Sequence, residues 1–323
     1  MTTTGHHIPG NTEPYGTGFA YLRPDQALEI VDQQTRRLGR TRTGHPATVK
    51  DWSVSMVLRV PTDQGPLWFK AVPPVFAHEG RVTDWISRLL PGLVTEVVAF
   101  GEGWSLTAAL PPELGNPVGH PLDAVADLHL ATIGLESEIL ALGCPDRRLP
   151  VLLDDIAGLI RRADLLPAAD RHALAALLGP LEQLCKTVDL LAMPATLIHG
   201  DVNLENSRWT AHGWVHIDWT DACLAHPCVD LAQPLLDNGN RPSRVVEAGF
   251  YRAWAARVPP EDIEMIRTAA PALGAAHQAG TYLRILDHVG KADDHPRMLQ
   301  LWVRRLTAAV EATETDHLLR GRT

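Results

Sequence analysis

The sequence predicts an α+β fold in two unequal lobes: a small antiparallel sheet carrying helix over residues 1–107 and a larger, mainly helical lobe over residues 108–323. Three observations carry that prediction. The chain has 323 residues, more than one ordinary core of about 100–200 residues holds. Between residues 50 and 107, short apolar runs alternate with polar residues and are broken by Gly, Pro and Asp turns. Beyond Pro112 the apolar residues recur every three or four positions, the period of a helix. The junction between the lobes is expected at Leu106–Pro112.

In chain order, PDQALEIVDQQTRRLG sets Ala27, Ile30 and Val31 at helical spacing with Gly39 as a stop, so a helix is expected over 25–38. In SVSMVLRV, Val54, Met56, Leu58 and Val60 alternate with Ser53, Ser55, Val57 and Arg59, as in a strand with one buried face. TDQG turns the chain, and PLWFKAV completes a hairpin. FAHEGRVTDWISRLLPG places Val82, Trp85, Ile86 and Leu89 on one helical face, ended by Pro91-Gly92. LVTEVVAFGEGWSLTAAL supplies two more strands around a turn at GEG. PLDAVADLHLATIGLESEILALG then reads as helix, with Asp123 as N-cap and Gly143 as stop. Further helices are expected within 150–164, 168–191, 242–256, 260–290 and 295–320, interrupted only by the strands ATLIHGD and WVHIDW, which would pair as a hairpin.

Composition narrows the function. A net charge of -9 and a pI near 5.9 argue against a nucleic-acid partner, which calls for a basic face. The first residues lack the basic and apolar regions of a signal peptide, and no apolar run is long enough to span a membrane. Cys144, Cys185, Cys223 and Cys228 show neither a CxxC pair nor zinc spacing, and read as buried, reduced thiols of a cytoplasmic protein. His6 and His7 read as a solvated pair near the start of the chain.

The chemistry concentrates in LIHGDVNLENSRWTAHGWVHIDW, residues 197–219. Asp201 follows an apolar run at a strand end, Asn206 stands five residues on, and Asp218 closes the next strand, seventeen residues beyond Asp201. A compact loop would bring the two carboxylates and the amide oxygen together. Such oxygen ligands suit Mg²⁺, which takes one or two carboxylates and keeps waters or substrate phosphates. A carboxylate left over from metal binding can orient a hydroxyl and accept its proton during phosphoryl transfer.

These residues resemble the motifs of the aminoglycoside phosphotransferase and choline kinase family, small-molecule kinases of protein-kinase-like fold. The pattern is HGDVNLEN followed by IDW, then AHPCVDLA with Asp230 at the family's aspartate; LWFKA, the glutamate of FAHEG and AVADLHLATI extend it upstream, over residues 50–235. The resemblance implies Asp201 as catalytic base, Asn206 and Asp218 as ligands of two Mg²⁺ ions, Lys70 on the nucleotide phosphates and Glu79 paired with Lys70, with Glu96 and Glu102 as competitors for that last role. His199 would prop the loop through backbone hydrogen bonds. No GxGxxG precedes Lys70; Ser53 and Ser55 stand there, either as phosphate contacts or as exposed strand residues.

The function implied is transfer of the γ-phosphate of ATP or GTP to a hydroxyl of a small molecule, as in an antibiotic-inactivating resistance phosphotransferase acting as monomer or homodimer. A metabolic kinase of choline, homoserine or sugar type and an inactive kinase-like binding protein are the alternatives. Asp221 and the region of Tyr282, Arg284, Asp287 and Asp293 are the expected acceptor contacts. Arg284, Lys291 and Arg297 interleave with the acids there, which favours a neutral or weakly charged acceptor over a polycation. His199-x-Asp201 and His216-x-Asp218 also fit the iron triad of oxygenases, but that chemistry needs a double β-sheet. No GxSxG elbow supports a serine hydrolase.

Overall fold

The computed structural model describes residues 20–231, 244–292 and 294–320. His6, His7 and Asp293 lie outside them. Helix α1 (Pro24–Arg37) ends near Gly39, whose φ of +65° suits the reversal after a helix. Five strands follow: β1 (Ala47–Trp52), β2 (Ser55–Val60), β3 (Leu67–Ala71), β4 (Val97–Gly101) and β5 (Trp104–Ala108). They form one antiparallel sheet in the order β1-β2-β3-β5-β4, with α2 (Glu79–Leu89) between β3 and β4.

Alternation sorts the two faces of this sheet. Met56, Leu58 and Val60 turn to one side, where they bury against Leu67, Phe69, Leu106 and the α1 residues Ala27 and Val31. Val57 pairs with Lys70, and Lys70 with Ser105, so these residues share the opposite face, toward the helical region. The structure adds a strand that alternation did not predict. β1 pairs with β2, and Ser53 and Val54 form the turn between them rather than the start of a strand. Both Ser53 and Ser55 are buried, at 6% and 4% exposure, so neither is an exposed strand residue.

The helical region comprises α3 (Pro121–Ala131), α4 (Glu136–Ala141), α5 (Leu149–Ile160), α6 (Ala168–Asp189), α7 (Arg244–Trp254), α8 (Pro260–His288) and α9 (His295–Arg320). The expected helix over 121–142 is two, because Gly134 adopts φ +81° and breaks it. His120, not Asp123, is the N-cap of α3. Its ring accepts from the Leu122 amide, while Asp123 accepts from the His120 amide in a reciprocal cap. α8 is the central pillar, buried from Ile266 to Ala276 mostly through alanine, so that α5, α6 and α9 pack closely around it.

Four short strands interrupt the helices. β6 (Thr196–Ile198) pairs with β9 (Cys223–Ala225), and β7 (Ser207–Thr210) pairs with β8 (Gly213–His216). The expected hairpin between ATLIHGD and WVHIDW is therefore replaced by two separate ladders. β7 lies next in the chain to β8 and takes its partner edge, leaving β6 to β9. The four cysteines are buried and free. No helix among the described residues is long and apolar enough to cross a membrane.

Candidate active site

β6 is wholly buried and delivers His199, Gly200 and Asp201 at its end. The loop is held from behind by Asp230, whose carboxylate accepts from the His199 amide at 2.9 Å and the Gly200 amide at 2.7 Å. His129 fixes Asp230 in turn, Nε2 to Oδ2 at 2.9 Å. The His199 ring bridges backbone: Nδ1 accepts from the Asp201 amide and Nε2 donates to the Ile217 carbonyl at 3.1 Å. Gly200 has φ +84°, and a Cβ there would stand 2.5 Å from the Asp221 carbonyl oxygen, so only glycine lets the two loops touch.

The loop after Asp201 is compact, as its spacing required. Asn206 Nδ2 donates to Asp201 Oδ2 at 2.8 Å and to the Asp201 carbonyl at 3.1 Å, while Asn203 Oδ1 accepts from the Asn206 amide. Asp218 arrives from β8 with φ +64°, a left-handed conformation that costs a non-glycine residue about 1–2 kcal/mol. Its Oδ1 accepts from Lys70 Nζ at 2.7 Å and from Thr220 Oγ1 at 2.8 Å. Lys70 also donates to Glu79 Oε1 at 2.7 Å, and that same oxygen accepts from the Trp219 amide at 3.1 Å. One lysine on the sheet thus ties α2 to the Asp218 loop.

Charge follows this geometry. Burial works against the Lys70 ammonium, but Asp218 and Glu79 outweigh it and hold it protonated. Burial also opposes the Asp218 carboxylate, yet Lys70 and Thr220 hold its pKa well below the ordinary range. Burial raises that of Asp201, with Asp218 adding to the rise and His199 and Asn206 opposing it. Burial, then Asp201 and Asp218, push the Asp221 carboxyl up to about 8.

Two clefts meet over these residues. The larger, about 610 Å³, lies between the open face of the sheet and the Asn206–Trp219 segment, and Lys70, Glu79, Asn206 and Asp218 all line it. The smaller, about 220 Å³, holds Asp201 and Asp221 at one end, with Trp52, Phe76, Tyr282 and Trp302 among its walls. Asp218, Ser55 and Lys50 line both.

The structure brings together Asp201, Asn206, Asp218, Lys70, Glu79 and Ser55. Ser53 stays in its turn and is not on the lining of either cleft. Glu79, not Glu96 or Glu102, is the glutamate at Lys70. Tyr282 faces the smaller cleft, Arg284 lies behind it beside Arg147 and His78, and Asp287 is spent on a surface pair with Arg162 at 2.7 Å. Sequence reasoning missed Lys50, Trp52, Gln278 and Trp302. The first two lie on an unrecognised strand, and the last two sit on helices whose facing is set only by tertiary packing.

The donor set fits Mg²⁺. Asn206 spends its amide N–H groups on Asp201, and among the described residues neither Asn206 Oδ1 nor Asp218 Oδ2 accepts a hydrogen bond. Two oxygens are thereby left for a hard cation. Among the described residues no three His, Cys, Asp or Glu side chains gather as a metal cage.

No curated protein sequence matches the chain. Among solved structures, a macrolide 2'-phosphotransferase type I superposes with a TM-score of 0.59 at 17% identity, over 89% of this chain and 99% of that one. A Plasmodium vivax ethanolamine kinase gives 0.59 at 15% identity over 82% of each chain. A spectinomycin phosphotransferase in complex with ADP and spectinomycin gives 0.55 at 12% identity, over 90% of this chain and 99% of that one. Such likenesses show a shared kinase-like fold. Residues 47–264 match the phosphotransferase enzyme family, so the chain belongs to that family.

Proposed function

We propose that the protein transfers the γ-phosphoryl group of ATP or GTP to a hydroxyl of a small molecule, in the cytoplasm. One observation carries this reading: the nucleotide-sized cleft and the smaller cleft share Asp218, and Asp201 lines the smaller one while bonded to Asn206 of the larger, so that an acceptor hydroxyl there would face the end of a triphosphate. In the transfer, the acceptor oxygen forms a bond to the γ-phosphorus and its proton passes to the Asp201 carboxylate. The bond from γ-phosphorus to the β–γ bridging oxygen breaks, and its electron pair leaves with the diphosphate. Asn206 Nδ2 steadies Asp201, Glu79 orients Lys70, and Lys70 holds phosphate oxygens. Asn206 and Asp218 would hold Mg²⁺, whose contribution when bound is to neutralise the triphosphate charge. Positioning and electrostatics supply most of the rate in such reactions.

The acceptor cleft is smaller than the roughly 300–1,000 Å³ of a drug-sized site, so it takes a compact group. Four of its walls are aromatic and Lys50 stands beside its three aspartates, which suits a neutral hydroxylated ring better than a polycation. In the antibiotic-inactivating form of this reading, one hydroxylated ring of the drug enters while the rest stays outside. The four aromatic walls also favour a second reading, a small ammonium-bearing alcohol held by cation–π contact. A phosphorylation screen over hydroxylated antibiotics, amino alcohols and sugars, run with both nucleotides, decides between them. Product formation slowed about 10²–10⁴-fold by Asp201→Asn is the expected result; no acceptor phosphorylated in the whole panel counts against the proposal.

A further inference from the structure

The turn between β1 and β2 joins the two strands whose residues Lys50 and Ser55 line both clefts, and a phosphate-binding loop there would need backbone amides that can approach closely. No glycine stands between Gly44 and Gly65, so this turn offers no stretch free of side chains. Lys50 occupies the neighbourhood instead. Regular pairing from Thr48↔Leu58 onward would set Lys50 against Met56, on the core face of the sheet. A register shift between Thr48 and Lys50 sets it against Val57, on the cleft face. Val57 pairs with Lys70, so Lys50, Val57 and Lys70 form one row across three strands. At the usual strand spacing, the two lysine backbones stand about 10 Å apart across that row.

The side chain has one visible anchor. Its Nζ lies 3.9 Å from the centroid of the Trp52 ring, and among the described residues it makes no ion pair. Lys50 lines both clefts, whereas Lys70 lines only the nucleotide side and is already held by two carboxylates. Burial works against the Lys50 charge while Asp218, the nearest acid in effect, supports it.

We propose that Lys50 is a second phosphate-binding cation, which grips the non-bridging oxygens of the γ-phosphoryl group from the sheet side in place of glycine-loop amides. Trp52 holds its ammonium at the junction of the clefts. Lys70 serves the inner phosphates, and Lys50 the group in flight. It moves no proton; it gives positive charge to the group as the bond to the bridging oxygen breaks and the bond to the acceptor oxygen forms. This assignment rests on the phosphotransferase reading above.

Calorimetry with Mg²⁺ tests it, using ADP and a non-hydrolysable ATP analogue, and repeating with the guanine pair. Lys50→Met should weaken the triphosphate analogue about 10- to 100-fold, the loss of one charged contact, and leave the diphosphate within about twofold. Lys50→Arg should restore most of the loss. A merely structural role would weaken both nucleotides together, so equal loss of the two, or no loss in either, overturns the proposal. Lys50→Gln, read the same way, replaces Lys50→Met if the latter lowers the melting temperature. Wild-type protein that binds neither nucleotide would instead overturn the phosphotransferase reading, and Lys50 with it.

Discussion

Glu79 offers a sharp test of how the cleft is held, because its charge and its shape can be removed separately. It is the first residue of α2, 5% exposed, and its Oε1 takes both Lys70 Nζ and the Trp219 amide. Glu79→Gln keeps an acceptor oxygen in place for both donors. What it loses is the charge in the Lys70 contact and the favourable position of an anion at a helix N-terminus, each about 1 kcal/mol. What it gains is relief from burying that charge; burial raises the Glu79 pKa despite Lys70. These oppose each other, so unfolding by urea should show a net change within about 1 kcal/mol. Glu79→Ala leaves the Trp219 amide without its acceptor and Lys70 with Asp218 alone, so the same assay should show a loss of about 3–4 kcal/mol. Nucleotide affinity should fall about tenfold in Glu79→Gln, since Lys70 is then drawn to Asp218 instead of being shared. Glu79→Gln as destabilising as Glu79→Ala would show that charge, not the acceptor, holds α2 to the Asp218 loop. Unchanged nucleotide affinity would refute the claim that the pair positions Lys70.

Three further outcomes follow from the same geometry. Asp201→Asn keeps an acceptor oxygen for Asn206 and should leave the melting temperature unchanged, while the transfer rate, measured on any acceptor found by the screen, drops about 10²–10⁴-fold. Chelation of divalent cations should weaken nucleotide binding at least about tenfold by calorimetry, and Asp218→Asn should erase most of that dependence; equal affinity in chelator would remove Asn206 and Asp218 as metal ligands. His78, His216 and His226 are buried, and burial depresses them to about 4, 3 and 3. Because their folded values lie below the ordinary 6.5, the unfolded chain takes up these protons first. The stability they contribute is complete above pH 6.5 and is lost as pH falls toward 4. Asp221, shifted upward, opposes this over the same window, which leaves a net loss of about 2–3 kcal/mol between pH 6 and 5. A urea midpoint flat across that range would show that the three imidazoles protonate freely in the folded state.

What could be read from the chain was what depends on local spacing. α1, expected over 25–38, spans Pro24–Arg37, and α6, expected within 168–191, spans Ala168–Asp189, because a helix writes its period and its ends into neighbouring residues. The approach of Asn206 to Asp201 was legible for a similar reason, one compact loop, whereas Asp218 arrives on a β7–β8 hairpin and not on the expected pairing of β8 with β6. β1 was not legible. It lies at the sheet edge with burial on neither side, so ATVKDW carries no alternation, and its irregular register would break any that existed. β9 is three residues long, too short for a period to show, and so β6 was given the wrong partner. The aromatic walls of the smaller cleft come from β1, the segment before α2, α8 and α9, elements far apart in sequence that packing alone brings together.

The choice of an amide at position 206 follows from the charges around it. By residue type, Lys50 and Lys70 bring two cationic side chains to the junction and Glu79, Asp201 and Asp218 three acidic ones, with the Asp221 carboxyl beside them pushed up to about 8. The acids already outnumber the bases where the proposed triphosphate would lie, and at about 4 Å each like-charge contact costs about 1–4 kcal/mol even with solvent screening. An aspartate at 206 would deepen that repulsion. It would also set two carboxylates 2.8 Å apart in place of the Asn206 Nδ2 donation to Asp201, so that one would have to be protonated. If that proton sat on Asp201, the proposed base would be disabled. The amide avoids both costs at once: its nitrogen donates to Asp201 and favours the carboxylate against the burial that opposes it, and its oxygen would offer a proposed metal ligand that adds no charge.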